Sequence, residues 1–368
     1  MVDAIQDTKR MNPDWVDAFR PSKIATPEGQ YGSNGESSIS VKQSRVGVRG
    51  QLPTGDHSDP VKFKFEIDMF GTGADAGKVA VRLRHVYGEW EQLLAGQTNS
   101  AFMDIDTFPN TIDYWGPNGM VFLRTPQVRW TPYRTGSDEF AVAIEHAGND
   151  VDPGNIRLID EFQNSTVQGV RTLPDLTAHY RMEGSWGHAQ LAGILRKISY
   201  EYQQTPDEPF TRNSETGWGV NLTGHINLLE KDKLILSVVH GNGIASYMND
   251  GGMDIAPNAA YDPATPVPNL SAKAVPLTGF VVYYDHYWNS EFSSSIGYSQ
   301  DEVSNTNFQE TTTFHKGQYA SGNLLWTPVK NVMIGGEVLW GKRTDNAGQT
   351  GDDVRFQFSV KYDFSAKL

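Results

Sequence analysis

The feature that most constrains the fold is an alternation of apolar and polar residues with a period of two, which recurs along the chain. From Val61 to Met69 every odd-numbered residue is apolar, and every even-numbered residue between them is charged. The same alternation runs through 78–83, 218–227 and 354–364. This period is that of a β-strand with one apolar and one polar face. The chain is therefore predicted to be all-β.

The lengths of the connections between these strands distinguish a membrane barrel from a soluble sandwich. Turn-sized connections alternate with long ones, and the long ones are 10–37, 71–77, 99–119, 149–173, 203–213, 243–272, 302–311 and 344–351. Outer-membrane barrels have short periplasmic turns on one rim and long external loops on the other. Aromatic residues such as Trp90, Trp130 and Trp186 also collect near the predicted strand ends, as in interfacial girdles. We therefore predict a transmembrane antiparallel β-barrel of about sixteen strands.

Composition excludes several other classes. No run of about 18 uncharged apolar residues is present, which excludes a helical membrane protein. A net charge of −13 argues against a nucleic-acid partner. The absence of cysteine excludes disulfides and thiol chemistry.

The expected organisation is one barrel domain over residues 1–368 in the bacterial outer membrane, with a first strand at 2–9 and a C-terminal strand at 352–364. Residues 1–15 carry neither a basic segment nor an apolar segment of a signal peptide. We therefore expect the sequence to represent a form from which a signal peptide is absent. The lipid of that membrane is an expected partner.

The third long connection, 99–119, is predicted to fold into the pore as a constriction loop. Asp104, Asp106 and Asp113 supply carboxylates there, while prolines and glycines fix its bends. A solvated Asx-turn or a calcium site is the alternative for Asp104 and Asp106.

Basic residues on neighbouring predicted strands share the polar face, which is the lumen of a closed barrel. The predicted pore-lining cations are Arg45, Arg49, Lys62, Lys64, Lys78, Arg82, Arg84 and Arg129. Because guanidinium groups bind carboxylates bidentately and do not discharge, they suit a filter for organic anions. The alternative is that Glu66, Asp68 and the loop aspartates neutralise these cations, which then only brace the wall.

No catalytic residues, cofactor or metal site are predicted. The sequence lacks a Gly-x-Ser-x-Gly elbow and a P-loop, and its nine histidines form no zinc motif. His85, His146 and His240 are expected on the apolar face. An outer-membrane barrel hydrolase and a secreted soluble carbohydrate-binding β protein remain as alternatives.

Several segments resemble one known family. They are 12–15 (NPDW), 20–23 (RPSK), 44–50 (SRVGVRG), 102–119 (FMDIDTFPNTIDYWGPNG) and 124–130 (RTPQVRW). Together they resemble the DcaP-like family of trimeric outer-membrane porins, over at least the first 150 residues. The resemblance implies a sixteen-stranded homotrimer that passes small anionic, carboxylate-bearing solutes. Small or polar residues at outward positions of 38–50 and 292–299 are compatible with subunit contacts.

Overall fold

The computed structural model describes residues 1–55, 59–71, 79–146, 148–159, 163–260 and 269–367. Twenty strands lie in this part of the chain: β1 Val2–Asp7, β2 Glu36–Ser40, β3 Arg45–Leu52, β4 Val61–Asp68, β5 Arg82–Trp90, β6 Leu93–Asn99, β7 Arg124–Arg134, β8 Asp138–Glu145, β9 Thr166–Val170, β10 Asp175–Gly184, β11 Gly187–Gln203, β12 Thr211–Leu228, β13 Asp232–Asn242, β14 Ile255–Ala260, β15 Asn269–Ala274, β16 Pro276–Tyr287, β17 Phe292–Val303, β18 Phe314–Val329, β19 Val332–Asp345 and β20 Thr350–Tyr362. Short 3₁₀ helices cover Pro13–Trp15, Pro21–Lys23, Ile105–Thr107, Gly154–Leu158 and Ala245–Tyr247. Within the described ranges, no helix has the length and apolarity needed to span a membrane.

Antiparallel pairing between neighbours in the chain builds a ring of sixteen strands, as predicted. β2 and β3 form one strand interrupted at 41–44, and β9 and β10 form one interrupted at 171–174. β14 and β15 pair only with each other, as a hairpin within a loop. The ring closes at β1, which pairs with β20 on one side and with β2 on the other.

Connection lengths alternate along the ring, also as predicted. The short turns include 91–92, 185–186 and 330–331, whereas the long loops include loop 1 (8–35), loop 3 (100–123) and loop 6 (243–275). Each of the sixteen strands of the ring, counting β2 with β3 and β9 with β10 as one strand each, runs from one rim to the other, so the short turns share one rim and the long loops share the opposite rim. The last strand ends at Tyr362, close to the predicted end at 364.

The outer surface of the barrel is apolar. On β12, Val220 and Leu222 point outward and are exposed, while the intervening Asn221 is buried inside. The same alternation exposes Leu191 and Leu195 on β11. Leucine and valine exposed in this regular pattern indicate a surface that faces lipid.

Part of the interior is filled by loops that pack onto the wall. Inward-facing apolar residues of β13, β16, β18 and β19 form a buried cluster with residues of loops 1 and 3: Met11, Phe19, Ile24, Met120, Ile235, Val281, Tyr283, Tyr319 and Leu339. A second buried cluster joins loop 3 and loop 6 to the same side of the wall, through residues such as Phe102, Tyr247 and Leu277. These contacts leave the wall of β3, β4 and β5 facing open space.

Candidate functional site: the cationic wall of the lumen

The open wall carries most of the predicted pore-lining cations. Arg45, Arg49 and Lys62 point into the lumen from β3 and β4 and are exposed. Within the described part of the chain, none of the three has a carboxylate within ion-pair distance. Lys78 lies outside the described residues.

The strand register places like charges opposite one another. Arg49 of β3 is directly paired with Lys64 of β4, on the same lumenal face. Like charges at directly opposed positions destabilise a sheet. Lys64 is partly compensated because its Nζ lies 3.0 Å from Glu66 Oε2. The remaining positive charge faces water and any anion that enters.

Arginines and carboxylates form a paired network at the long-loop end of this wall. Arg82 Nε and Nη2 bind the two oxygens of Asp68 at 3.0 and 2.6 Å. Arg84 bridges Glu66 Oε1 at 2.7 Å and Asp68 Oδ2 at 2.9 Å. Arg82 and Arg84 therefore have the bracing contacts considered as an alternative to the filter.

Asp68, the carboxylate at the centre of this network, lies beneath Arg82. The side chain of Asp68 is fully buried, while that of Arg82 is 29% exposed. A solute that approaches this point therefore meets the Arg82 guanidinium before Asp68, whereas the Glu66 side chain is itself more exposed than that of Arg84.

Tyr114 of loop 3 and Arg124 of β7 complete the cluster, and the sequence did not identify either as part of the site. The Tyr114 hydroxyl contacts Arg82 Nη2, lies 2.8 Å from Arg84 Nη1 and 3.4 Å from Arg124 Nη2, and donates to Asp68 Oδ2 at 3.0 Å. The sequence feature that could have indicated Tyr114 was its place in a loop predicted to enter the pore. Its contacts depend on the path of that loop, which residue spacing does not specify.

A β-bulge in β5 places His85 on the inside, contrary to the prediction of an apolar-face position. Glu66 pairs with His85 but the next residue, Ile67, pairs with Leu83, so one residue of β5 is extra. Arg84 and His85 both turn inward as a result, and His85 Nδ1 lies 3.0 Å from Thr98 Oγ1. Alternation fails at a bulge because two residues oppose one.

Asp104 anchors loop 3 to the wall near the short-turn rim. Its carboxylate lies 2.7 Å from His188 Nε2, accepts from Thr223 at 2.8 Å, and lies 3.3 Å from Arg181. Burial would raise the pKa of Asp104, but His188, Thr223 and Arg181 outweigh it and lower the pKa. Asp104 also accepts from Asp106 N at 3.1 Å, which is the Asx-turn considered for this position. Asp104 is buried and holds the loop, and it borders the same lumenal cavity as Asp106 and Arg129.

Asp113 is the second buried anchor, and its burial between loops 1 and 3 differs from the predicted pore-lining position. Its carboxylate accepts from the backbone N–H groups of Phe19, Trp115 and Gly116 at 3.0, 2.9 and 3.1 Å. Burial raises the pKa of Asp113 to about 6, although Arg355 and these N–H groups oppose the rise. Asp113 therefore ties loop 1 to loop 3.

Asp106 and Arg129 lie beside open space on the short-turn side of loop 3. Both line a cavity of about 430 Å³ together with Arg134, Glu139 and Arg181. Asp106 pairs with Arg181 at 2.8 Å, and Arg129 donates to Gln127 at 3.0 Å and to the Asn99 carbonyl at 2.5 Å. No group of three or more histidine, aspartate and glutamate side chains in the described ranges is placed to hold a metal ion.

A sixteen-stranded ring with an apolar exterior, an inward-folded third loop and a polar wall defines the class of outer-membrane porins. The chain belongs to the DcaP outer membrane protein family, whose model matches residues 25–364. The family resemblance drawn from the sequence is thereby confirmed, and so is the bacterial outer-membrane location. The soluble carbohydrate-binding alternative is wrong.

Solved structures share the fold. The outer membrane channel DcaP of Acinetobacter baumannii is 22% identical with a TM-score of 0.78, over 99% of this chain and 94% of that one. An anion-selective porin from Comamonas acidovorans is 10% identical with a TM-score of 0.59, over 99% and 97%. The trimer form of OmpT from Vibrio cholerae is 10% identical with a TM-score of 0.51, over 98% of each chain. No curated protein sequence matches significantly.

Proposed function

We propose that this porin passes small solutes by passive diffusion and prefers anions, in particular those that carry carboxylates. The observation that carries the proposal is the lumenal wall of β3, β4, β5 and β7. It presents nine cations, Arg45, Arg49, Lys62, Lys64, Arg82, Arg84, Arg124, Arg129 and Arg134, against Glu66, Asp68 and Glu89 among its own inward residues. The sign of this wall is opposite to the net charge of −13 of the whole chain.

Accessible charge matters more to a passing ion than total charge. Asp68 is covered, whereas Arg45, Arg49 and Lys62 are open to the lumen without a carboxylate partner in the described ranges. A water-filled passage lined by one sign of charge concentrates the opposite ion. The name of the Comamonas acidovorans porin, which describes it as anion-selective, is consistent with this proposal for the shared fold.

Three solutes of nearly equal size and different charge test the preference. Gluconate, glucose and glucosamine carry one negative charge, none and one positive charge, so their entry into proteoliposomes compares charge at fixed size. Potassium chloride on both sides keeps counter-ions from limiting entry. We expect gluconate to enter fastest and glucosamine slowest. Faster entry of glucosamine than of gluconate would contradict an anionic preference.

We further propose that the porin is a homotrimer that associates through the outer face of β19, β20, β1 and β2. Ala4, Ser37 and Gly336 are small there and leave a groove of about 580 Å³ bordered by Ile39 and Phe358. On the opposite side, β11 and β12 present leucines and valine to the outside. The trimer form of OmpT from Vibrio cholerae supports association of this barrel type.

Filling the groove tests the interface. A Cβ at Gly336 would have no atom within 4 Å, so a side chain there extends outward without a clash in its own protomer. Gly336→Trp should convert trimers to monomers in native gels of detergent-purified porin. Val238→Trp, an outward change on β13, is the matched control and should leave trimers intact. Trimers that persist in Gly336→Trp would place the interface elsewhere.

A further inference from the structure

The arginines at the long-loop end of the wall converge on one phenol. Arg82, Arg84 and Arg124 all direct a terminal nitrogen at the Tyr114 hydroxyl. Arg45 completes the set, because its guanidinium carbon lies 5.7 Å from the centre of the Tyr114 ring. The guanidinium carbon of Arg82 lies 5.2 Å from the same centre. Arginine placed over a ring face gains cation–π attraction.

Tyr114 is itself held firmly. Its ring stacks on Phe70 with 3.9 Å between ring centres, and the side chain is buried. The next residue, Trp115, donates from Nε1 to the Asn249 carbonyl of loop 6 at 2.5 Å. The phenol therefore belongs to the packed part of loop 3, and the arginines gather around a fixed point.

Guanidinium groups this close repel one another, so something must compensate. A phenol oxygen accepts from donors through two lone pairs and donates one hydrogen. Here the hydroxyl accepts from Arg82 and Arg84 and donates to the buried Asp68, while Arg124 Nη2 lies farther off at 3.4 Å. It joins two cations to one carboxylate without adding a negative charge of its own.

One arginine nitrogen of the cluster has no partner. Arg124 Nη1 is buried and makes no hydrogen bond within the described part of the chain. Such a donor normally finds an acceptor. Arg45 has no carboxylate partner there either and is exposed to the lumen. Two carboxylate oxygens of a solute match the guanidinium of the exposed Arg45, beside a cluster in which the buried Arg124 Nη1 lacks an acceptor.

We propose that Tyr114 is a positioning residue that holds Arg45, Arg82, Arg84 and Arg124 as one discrete, saturable site for a carboxylate. The inference rests on the proposed anionic preference and adds a defined binding site within the pore. Net charge alone produces selectivity without saturation at one place. An organised site adds affinity that depends on the Tyr114 hydroxyl.

Acetate is the probe, and Tyr114→Phe is the variant. Phenylalanine keeps the ring and the net charge but removes the hydroxyl. The conductance of single channels in planar bilayers is measured against potassium acetate concentration, and the chloride-to-potassium permeability ratio is measured separately in KCl. In the wild type, the acetate conductance should saturate. In Tyr114→Phe the half-saturating concentration should rise roughly tenfold, the effect of losing one hydrogen bond to a charged group. The permeability ratio should change little.

Two further variants keep the test decisive. Tyr87→Phe, a lumenal tyrosine of β5, is the control and should leave the half-saturating concentration unchanged. Arg124→Lys keeps the charge, loses the planar fork, and should also raise the half-saturating concentration; it carries the test if Tyr114→Phe does not fold. A linear acetate conductance in the wild type, or an unchanged half-saturating concentration in folded Tyr114→Phe and Arg124→Lys, would overturn the inference. A wild type that prefers potassium would instead overturn the anionic preference, which the KCl measurement reports by itself.

Discussion

Neutralising two exposed cations should weaken the anionic preference by a calculable amount. Arg49 and Lys62 are the changes of choice, because neither has a carboxylate partner in the described ranges and their loss leaves no buried acid unpaired. A unit charge about 6 Å from the path of an ion in water contributes roughly 0.7 kcal/mol. Screening at 0.1 M salt reduces this to about 0.4 kcal/mol.

Each cation acts twice on the permeability ratio, because it attracts chloride and repels potassium. The ratio therefore changes roughly three- to fourfold per charge. Arg49→Gln with Lys62→Gln should lower the chloride-to-potassium permeability ratio about tenfold, and raising the salt to 1 M should abolish most of the difference.

Reversal potentials in a KCl gradient measure this ratio. Lys342→Gln is the control: it removes one positive charge from the outer face of β19, between the outward Trp340 and the rim, and should leave the ratio unchanged. If the double variant has the wild-type ratio while remaining folded, the wall of β3 and β4 does not line the conducting path.

Three other predictions concern the loop anchors and the lipid-facing surface. Asp104→Asn should increase open-channel current noise and amide exchange across Ala101–Thr107, because His188 and Arg181 lose their shared carboxylate at a cost of about 1–3 kcal/mol. Wild-type current noise in this variant would contradict the role of Asp104 as an anchor of loop 3. The folded pKa of Asp104 is lowered, so its stabilising contribution is present above the ordinary value near 3.8 and is lost as the pH falls below it; amide exchange of the same segment should therefore rise only in acid below about pH 4. Leu222→Arg should reduce the free energy of unfolding in lipid vesicles by about 2–4 kcal/mol, while the control Gln92→Arg, in a turn, leaves it unchanged. Equal stability of the two variants would contradict the outward orientation of Leu222.

The strand framework was predictable because every strand of the closed barrel alternates inward polar and outward apolar residues. Alternation and the rhythm of long and short connections depend only on local sequence, so they identified the class and the positions of Arg45, Arg49 and Lys62. His85 was misplaced because a single bulge shifts the alternation, and no turn residue marks that bulge in the sequence.

The part of the interior that loops 1, 3 and 6 fill was not predictable from the alternation of apolar and polar residues. Inward residues of β13 and β16 such as Ile235 and Val281 are apolar because loops 1 and 3 cover them, and strand patterns do not show what covers a face. The same limit explains Asp113, whose carboxylate suggested pore lining but ties loop 1 to loop 3, and the anchoring contacts of Asp104. It also explains Tyr114, whose partners come from β4, β5 and β7 and meet only after loop 3 folds inward.

Single-channel recording of the wild-type porin in a planar bilayer under a KCl gradient tests the central claim most directly. We expect current steps in groups of three and a reversal potential that favours chloride. A reversal potential that favours potassium would contradict the proposal that the exposed cations of β3 and β4 govern passage.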